Sequence, residues 1–270
     1  MSDPVIRASL RYTIDTGIKP VNETTGPGGR LRQRTGGESD DRVVPIEDAR
    51  PRAGELSLDR EGFVLVPHAT AVTDFWDPAQ REEVYDREIE ALVKAQTGAA
   101  RVVVFDHTVR STDPARQDAV FAREPVQLVH NDYTEWSGPQ RLRDVLPDEA
   151  ESLSARRFAI IQVWRPTGAP VEQWPLALCD ARTLHRRDLI AAERRHPDRV
   201  GEVYQVAYDP AHRWCMFPRM TRDEALVFKV YDSRTDVARY TAHTSFSAPG
   251  AAPGATPRES IEVRTLALFR

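Results

Sequence analysis

The sequence has little cysteine, no long apolar run and no concentrated block of one charge. Its two cysteines, Cys179 and Cys215, cannot build a disulfide framework and do not form a Cys-x-x-Cys zinc motif. No stretch approaches the roughly 18 apolar residues of a transmembrane helix, and the first residues lack the apolar segment of a signal peptide. A net charge of −4 with dispersed arginines argues against a nucleic acid or an anionic membrane as partner. We therefore expect a soluble cytoplasmic protein, with a homodimer as one possible assembly.

The glycine-rich segment near the N-terminus excludes a further class of function. Residues 26–37 lack the Gly-Lys-Ser/Thr ending of a phosphate-binding loop, and no clear strand precedes them. No glycine-rich nucleotide loop follows a strand elsewhere, which argues against a methyltransferase. We predict a mobile loop over residues 24–42, serving as a connection or as a lid over a site.

The apolar pattern predicts a mainly β (α+β) chain with a few helices. A helix should begin at Asp77 and Pro78 and end at Gly98, and a second should cover residues 137–156 with a break near Pro147. The predicted strands are 7–15, 43–46 at a sheet edge, 61–66, 101–105 closed by 106–108, 158–164, 202–208 in a hairpin with 213–217, 225–231 and 258–269.

Two further segments have a predicted structure that bears on function. Residues 183–196 are predicted to form a charged helix whose arginines are a solvated face, namely Arg186, Arg187, Arg194 and Arg195. Residues 111–122 are predicted to cover a substrate as a loop with some helix. We expect one domain over residues 1–270, in which residues 1–100 partly buttress the core and form a lid, and residues 101–270 carry the metal site.

One stretch places a histidine and a carboxylate two residues apart. His130 and Asp132 follow an apolar run, and alternate residues of a strand point to the same side, so both would face one site. Two histidines and one carboxylate form the facial triad of non-haem iron(II) oxygenases. His243 could supply the third ligand, and His107 and His212 are the alternatives. Since a His-x-Asp pair often arises by chance, its interpretation depends on the rest of the chain.

A second pair lies on the last predicted strand. Arg258 and Ser260 are again two residues apart, and an arginine fork with a hydroxyl can hold a carboxylate through charge-assisted hydrogen bonds. Arg264 is the competing candidate, because it faces the same way along the strand. It would otherwise pair with a carboxylate at the end of the barrel.

In this order, these residues resemble the iron(II)/2-oxoglutarate-dependent dioxygenases. Within that superfamily, the chain is similar to the group that includes the cephamycin-pathway hydroxylase component, fungal hydroxylase/desaturases and gibberellin desaturase. Asn131 stands where an apolar residue is expected, but its side chain should face away from the metal. The segments that carry the resemblance are 105–110, 129–133, 163–166, 175–177, 231–233, 243–244 and 258–264.

The resemblance implies a double-stranded β-helix, the jelly-roll or cupin-like architecture, with helices packed outside it. It implies Fe(II) held by His130, Asp132 and His243, with 2-oxoglutarate and O2 as cosubstrates. The distal carboxylate of 2-oxoglutarate would be held by Arg258 and Ser260. The implied activity is hydroxylation, desaturation or oxidative cyclisation of a small specialised metabolite, with release of succinate and CO2.

The resemblance also places a set of residues near the substrate. For His107 the alternative is a structural role. For Trp164 and Arg165 the alternative is that they serve as a packing residue and a surface charge. Two other classes stay open: a cupin-like metalloenzyme that does not use 2-oxoglutarate, and a non-catalytic barrel that binds a small molecule. The predicted substrate contacts are Asp106, His107, Arg110, Tyr133, Trp164 and Arg165.

Overall fold

The computed structural model describes residues 5–25, 30–116, 123–197, 200–250 and 254–270. In these ranges the chain is dominated by strands. In chain order the strands are β1 (Val5–Thr13), β2 (Val21–Thr25), β3 (Arg30–Thr35), β4 (Ser39–Asp48), β5 (Phe63–Pro67), β6 (Arg101–Ser111), β7 (His130–Asn131), β8 (Phe158–Pro166), β9 (Leu176–Cys179), β10 (Leu189–Arg195), β11 (Val200–Val206), β12 (Trp214–Met216), β13 (Glu224–Asp232), β14 (His243–Ser245) and β15 (Glu259–Leu268).

The helical segments are short. Asp77 caps the first one by accepting a hydrogen bond from the backbone N–H of Ala79 at 2.9 Å, and Gly98 ends the long one with φ of 71°. Both predicted ends are therefore confirmed, as is the break near Pro147 between the two later helices. The segments are α1 (Pro78–Gln80), a π-helical stretch Arg81–Tyr85, α2 (Asp86–Thr97), α3 (Ser137–Val145), α4 (Ala150–Ser154) and 3-10 turns at Arg50–Glu55, Ala181–Thr183 and Arg186–Asp188.

The strands form two sheets that face each other. The larger sheet has the order β1-β4-β12-β9-β14-β7-β11-β10-β2-β3, and the smaller one has the order β5-β13-β8-β15-β6. One core cluster joins the two, with Leu178 and Trp214 from the larger sheet and Ile160 and Leu226 from the smaller sheet. The predicted mainly β class with flanking helices is confirmed.

The smaller sheet is buried on both faces, and strand β8 is buried along its whole length. Ile161 and Val163 pack in a second apolar cluster with Ile89 and Val93 of α2, on the outer face. Fully burying a side chain of this size contributes about 1.5–3 kcal/mol, so α2 stabilises this sheet from outside. Because strand residues alternate, Gln162 projects to the inner face.

An irregularity in β6 turns two consecutive side chains toward one cavity. Arg264 of β15 is opposite Asp106, but the next residue of β15 is opposite Val104, which leaves Phe105 as an extra residue. Phe105 and Asp106 both line the cavity described below. Such bulges commonly redirect side chains near active sites. The prediction that residues 106–108 close the strand is wrong, because β6 continues to Ser111.

The N-terminal region contains more strand than predicted. Strand β3 and the beginning of β4 lie in the predicted loop 24–42, and β3 pairs antiparallel with β2. Residues 26–29 of that predicted loop lie outside the described residues. Strand β4 is not at an edge, since it lies between β1 and β12. Pro45 is tolerated because pairing with β12 begins only at Ile46.

Residues 183–196 do not form the predicted charged helix. They form a 3-10 turn and strand β10, which pairs with β11 on one side and with β2 on the other. Pairing on both edges outweighs the local helix propensity of the arginines and alanines. The predicted hairpin of 202–208 with 213–217 is also wrong, because β12 pairs with β9 and β4. Residues 117–122 of the predicted covering loop lie outside the described residues.

Candidate metal centre and substrate cavity

Two neighbouring strands of the larger sheet bring three potential metal ligands together. His130 of β7 is directly opposite His243 of β14, and Asp132 follows β7. One ligand atom from each of the three residues lies within 4.8 Å of the others. In the described part of the chain, no other group of three His, Cys, Asp or Glu residues has this arrangement. The structure therefore selects His243 over His107 and His212 as the third member.

Both imidazoles are oriented by backbone carbonyls. His130 Nδ1 lies 2.7 Å from the Leu128 carbonyl oxygen, and His243 Nδ1 lies 2.9 Å from that of Thr241. A carbonyl can only accept, so each Nδ1 carries a proton, and each Nε2 is the ring nitrogen left to face the site. Burial and, second, repulsion from His130 lower the pKa of His243 to about 4. Its imidazole is therefore neutral at pH 7, which is the form that binds metals.

Asp132 is fixed through one carboxylate oxygen. Oδ2 accepts hydrogen bonds from the Gln162 amide and from Arg264 Nε, the latter at 2.8 Å, and Oδ1 lies 3.4 Å from His130 Nε2. Burial raises the pKa of Asp132, but the charge of Arg264 and the contact with His130 lower it more, to well below its usual range. The carboxylate is thus ionised, with Oδ1 on the side of the histidine.

Asn131 connects the strands that carry the triad. Its side-chain amide donates to the carbonyls of Tyr133 at 2.7 Å and Val230 at 2.9 Å, and its oxygen accepts from the Thr241 backbone N–H at 3.2 Å. The side chain is fully buried and faces away from the triad, as the sequence predicts. Because Thr241 lies two residues before His243, Asn131 fixes the relative position of the ligands.

Arg258 is a buried cation directly before β15, on the inner side of the smaller sheet. Its guanidinium donates to the Trp174 carbonyl, lies 3.3 Å from Ser245 Oγ, and stands 5.4 Å from the ring centroid of Trp164. In the described residues it has no carboxylate partner, which is unusual for a buried charge. Trp164, predicted to contact substrate, thus lies against Arg258 instead.

The surroundings of Arg258 are suited to an anion. Burial and, second, repulsion from Arg110 lower the pKa of Arg258 to about 9. Four buried polar atoms on the inner face have no hydrogen-bond partner among the described residues: His243 Nε2, Arg258 Nε, Ser260 Oγ and Gln162 Oε1. Leaving such groups unpaired costs roughly 1–3 kcal/mol each, so a bound metal and a carboxylate ligand would stabilise this interior.

Arg264 is already occupied by carboxylates of the protein. It contacts Asp106 at 2.5 Å and Asp132 at 2.6 Å, and it also pairs with Glu262. Although burial lowers it, the three carboxylates raise the pKa of Arg264 well above its usual range. Of the two candidates for holding an external carboxylate, Arg258 is therefore the one with free donors.

A cavity of about 570 Å³ opens beside Asp132. Its wall includes the predicted substrate contacts Asp106 and Tyr133, together with Phe105 and Trp136. This volume lies within the range of roughly 300–1,000 Å³ that is typical of small-molecule sites. Burial raises the pKa of Tyr133 to about 12, so its hydroxyl stays protonated at neutral pH.

Two predicted substrate contacts lie on the wrong face of the smaller sheet. His107 Nε2 is 2.6 Å from Asp86 of α2, and the Arg165 guanidinium stands 5.3 Å from the Tyr85 ring centroid. Each follows an inward-facing residue, so strand alternation directs it outward. We therefore reassign His107 and Arg165 as structural contacts. Arg110 does point inward, 3.6 Å from Glu262.

The sequence interpretation missed residues that support the site. Gln162 was treated as part of a buried strand, and Arg194 was assigned to a solvated helix, although it lines the cavity. For Gln162, the signal was a single polar residue inside an otherwise apolar strand. For Arg194, the predicted helix was wrong, and a strand would have placed its side chain on the same face as that of every second residue.

The comparisons with known proteins agree with this geometry. A family model described as "Oxidoreductase/YMDC permease-like domain" matches residues 10–268. A hydroxylase/desaturase of Hormonema carpetanum is 31% identical over 100% of this chain and 97% of its own length. An Fe(II)/2-oxoglutarate-dependent dioxygenase of Aspergillus novofumigatus is 32% identical over 83% of this chain and 82% of its own.

A solved structure is similar over nearly the whole fold. The iron and alpha-ketoglutarate-dependent endoperoxidase NvfI superposes with a TM-score of 0.88 at 28% identity, covering 98% of each chain. Together, the two facing sheets and the His-Asp-His group define a jelly-roll, non-haem iron oxygenase. The chain belongs to the oxidoreductase family matched above and, within it, to the iron(II)/2-oxoglutarate-dependent dioxygenases that include fungal hydroxylase/desaturases. In the described ranges, no helix is long and apolar enough to cross a membrane.

Proposed function

We propose that His130, Asp132 and His243 hold the iron, and that Arg258 and Ser260 hold the distal carboxylate of 2-oxoglutarate, in an enzyme that oxidises a small specialised metabolite. The observation that carries this assignment is the set of unpartnered inner-face atoms, which includes a ligand nitrogen of the triad and donors of both anchor residues. When bound, iron(II) supplies the activation of O2 that is coupled to decarboxylation of 2-oxoglutarate to succinate and CO2.

The protein's contribution is orientation and exclusion of water. The carbonyls of Leu128 and Thr241 fix the two imidazoles, and Gln162 and Arg264 fix one oxygen of Asp132. Such supporting hydrogen bonds keep ligands in place and tune their basicity. Arg258 is buried, so its charge would act on a carboxylate with little screening.

The proposed function is tested in two steps. Iron(II) and 2-oxoglutarate are added to the protein without oxygen, and the weak visible charge-transfer band of the chelate is expected. On admission of oxygen, succinate should form from 2-oxoglutarate. A folded, iron-loaded protein that gives neither the band nor succinate would contradict the assignment.

Loosening Asp132 should weaken iron binding without removing a ligand. In Arg264→Gln the Asp132 carboxylate loses its charged partner, so iron affinity is expected to fall by roughly 10- to 100-fold. Iron affinity is measured by competition with a chelator, with circular dichroism as the check on folding. Affinity for 2-oxoglutarate in the iron-saturated variant should stay close to that of the parent. If 2-oxoglutarate binding falls instead while iron affinity is kept, Arg264 is the carboxylate anchor.

An exposed arginine on the turn before β10 provides a contrast. Arg187 has a side chain that is 72% exposed and pairs with Asp209 at 2.8 Å. Arg187→Glu is expected to leave succinate formation unchanged within error, because surface ion pairs contribute little. A large loss of activity in folded Arg187→Glu would show that this turn meets substrate or a partner.

The specialised-metabolite substrate is supported by the similarity to hydroxylase/desaturases and by the size of the cavity. The cytoplasmic location, the homodimer and the division of the domain at residue 100 stay predictions from the sequence.

A further inference from the structure

The cavity beside Asp132 contains an arginine that pairs with none of the described residues. Arg194 lies on β10 opposite Gly201, and both residues line the cavity. Throughout the described ranges, its guanidinium has no hydrogen bond or ion pair, whereas Arg195 on the same strand pairs with Glu193 at 2.9 Å. Burial lowers the pKa of Arg194, although the charge of Asp132 raises it. Arg194 thus brings a positive charge to the cavity wall that no described residue pairs with directly.

A second cation lies close to Arg194. Arg123 also lines the cavity from an exposed position, and partial desolvation and, second, repulsion from Arg110 lower its pKa. Among the described residues Arg123 has no ion pair, although the charges of Asp106 and Glu262 raise its pKa. Arg123 in turn contributes to the lowered pKa of Arg194. Two guanidinium groups therefore repel each other across one cavity, an arrangement that a bound anion would relieve.

The carboxylates of the cavity wall are already engaged elsewhere. Asp106 pairs with Arg264 at 2.5 Å, and Glu202 pairs with Lys19 at 2.6 Å. Asp144 accepts a hydrogen bond from Gln140 at 2.8 Å. Asp132, the remaining acidic residue of the wall, belongs to the proposed iron site. Although the wall carries acids as well as bases, Arg194 and Arg123 are its two arginines without an ion pair to any described residue.

The rest of the wall offers apolar and aromatic area. Phe105, Trp136, Val200 and Val203 line the same cavity, and the Arg141 guanidinium stands 5.6 Å from the Phe105 ring centroid. Aromatic and aliphatic walls with a few convergent polar groups are typical of sites for compact organic ligands. A planar guanidinium suits the two oxygens of a carboxylate.

We propose that the substrate of this enzyme is an apolar small molecule that carries a carboxylate, and that Arg194, assisted by Arg123, binds that carboxylate. This inference rests on the proposed function of the same site. It places the carboxylate at β10, so that the apolar part of the molecule lies against Phe105 and Trp136. Arg194 is thereby a specificity-determining residue, separate from the 2-oxoglutarate anchor Arg258.

The test uses the full chain with iron(II) and 2-oxoglutarate bound, in the absence of oxygen. Binding of 2-naphthoate and 3-phenylpropionate is compared by calorimetry with binding of their neutral methyl esters. We expect each carboxylate to bind more tightly than its ester, by on the order of 10- to 100-fold. In Arg194→Gln this preference should disappear, while ester binding is unchanged. The matched control is Arg195→Gln, which should keep the preference because Arg195 pairs with Glu193.

Three results would overturn the inference. The first is equal binding of acids and esters by the parent, including no binding of either up to millimolar concentration. The second is an equal loss of preference in Arg194→Gln and Arg195→Gln. The third is a tenfold weaker binding of 2-oxoglutarate by Arg194→Gln (about 1.4 kcal/mol), which would assign this arginine to the cosubstrate. Failure of the proposed function is seen separately, as unchanged 2-oxoglutarate binding in Arg258→Gln.

Discussion

Replacing Arg258 with glutamine is expected to weaken 2-oxoglutarate binding by roughly 30- to several-thousand-fold. The guanidinium is buried and has no carboxylate partner among the described residues, so the distal carboxylate of 2-oxoglutarate would be its counter-ion. Breaking a buried, hydrogen-bonded charge pair costs on the order of 2–5 kcal/mol, at about 1.4 kcal/mol per tenfold. Glutamine keeps some reach but loses both the charge and the paired donors. The measurement is the dissociation constant of 2-oxoglutarate for the iron-loaded protein without oxygen.

Thermal unfolding gives a second readout of the same substitution. The parent should be stabilised by added 2-oxoglutarate, because a ligand that binds only the folded state raises its stability. Arg258→Gln should lose that stabilisation. Without 2-oxoglutarate, the variant should be about as stable as the parent, because it removes a charge that is uncompensated in the protein alone. Iron affinity should be kept in the variant.

Two further variants separate charge from geometry. Arg258→Lys keeps the charge but loses the planar fork, so its 2-oxoglutarate affinity should lie between those of the parent and Arg258→Gln. Ser260→Ala removes a hydroxyl that has no partner among the described residues, so folding should be unaffected while 2-oxoglutarate binding weakens modestly. If Arg258→Gln binds 2-oxoglutarate as the parent does, the anchor is assigned to the wrong arginine.

Alanine in place of His130, Asp132 or His243 is expected to abolish stoichiometric iron binding and succinate formation. Each change removes one of three ligand atoms that lie within 4.8 Å of one another. Losing a residue that merely supports a ligand already costs about 10- to 100-fold in metal affinity, so losing a ligand should cost more. His243→Ala should fold normally, because it removes an imidazole whose Nε2 has no partner in the protein. Iron content is measured beside circular dichroism.

The structure supplies a matched control for the histidine variants. His107 was an alternative ligand in the sequence, but its ring is paired with Asp86 on the outer face of the smaller sheet. His107→Gln should therefore keep iron at the stoichiometry of the parent. An iron-replete His243→Ala, or an iron-free but folded His107→Gln, would require a different ligand set.

Two pairs of residues in the proposed site could be predicted from the sequence, because local geometry places the two members of each pair on one face. Residues two positions apart on an extended segment point to the same face, independently of how the strand pairs with others. That rule placed His130 beside Asp132 and Arg258 beside Ser260 before any pairing of strands was known. The resemblance to the dioxygenases then supplied the jelly roll, which the comparisons confirm.

The choice among alternatives depended on long-range pairing. The sequence left His107, His212 and His243 open as third ligands, and only the pairing of β14 with β7 brings His243 opposite His130. Likewise, the choice of Arg258 over Arg264 as the proposed anchor depends on the carboxylates that pair with Arg264, which come from β6 and from the loop after β7. Contacts between residues more than a hundred positions apart leave no periodic signal in either segment.

Residues 183–196 show where local reasoning failed. Arginines and alanines favour a helix on their own, but pairing of β10 with β11 and β2 makes the segment a strand. Because side chains alternate with a period of two residues in a strand, Arg194 lines the cavity and does not lie on a solvated helical face. The sequence by itself determined the class of chemistry, since the proposed iron ligands and the proposed carboxylate anchor are carried by short motifs. The tertiary structure alone decided the shape and charge of the substrate cavity, because its wall is assembled from β6, β10, β11 and α3, which meet only when the sheets close.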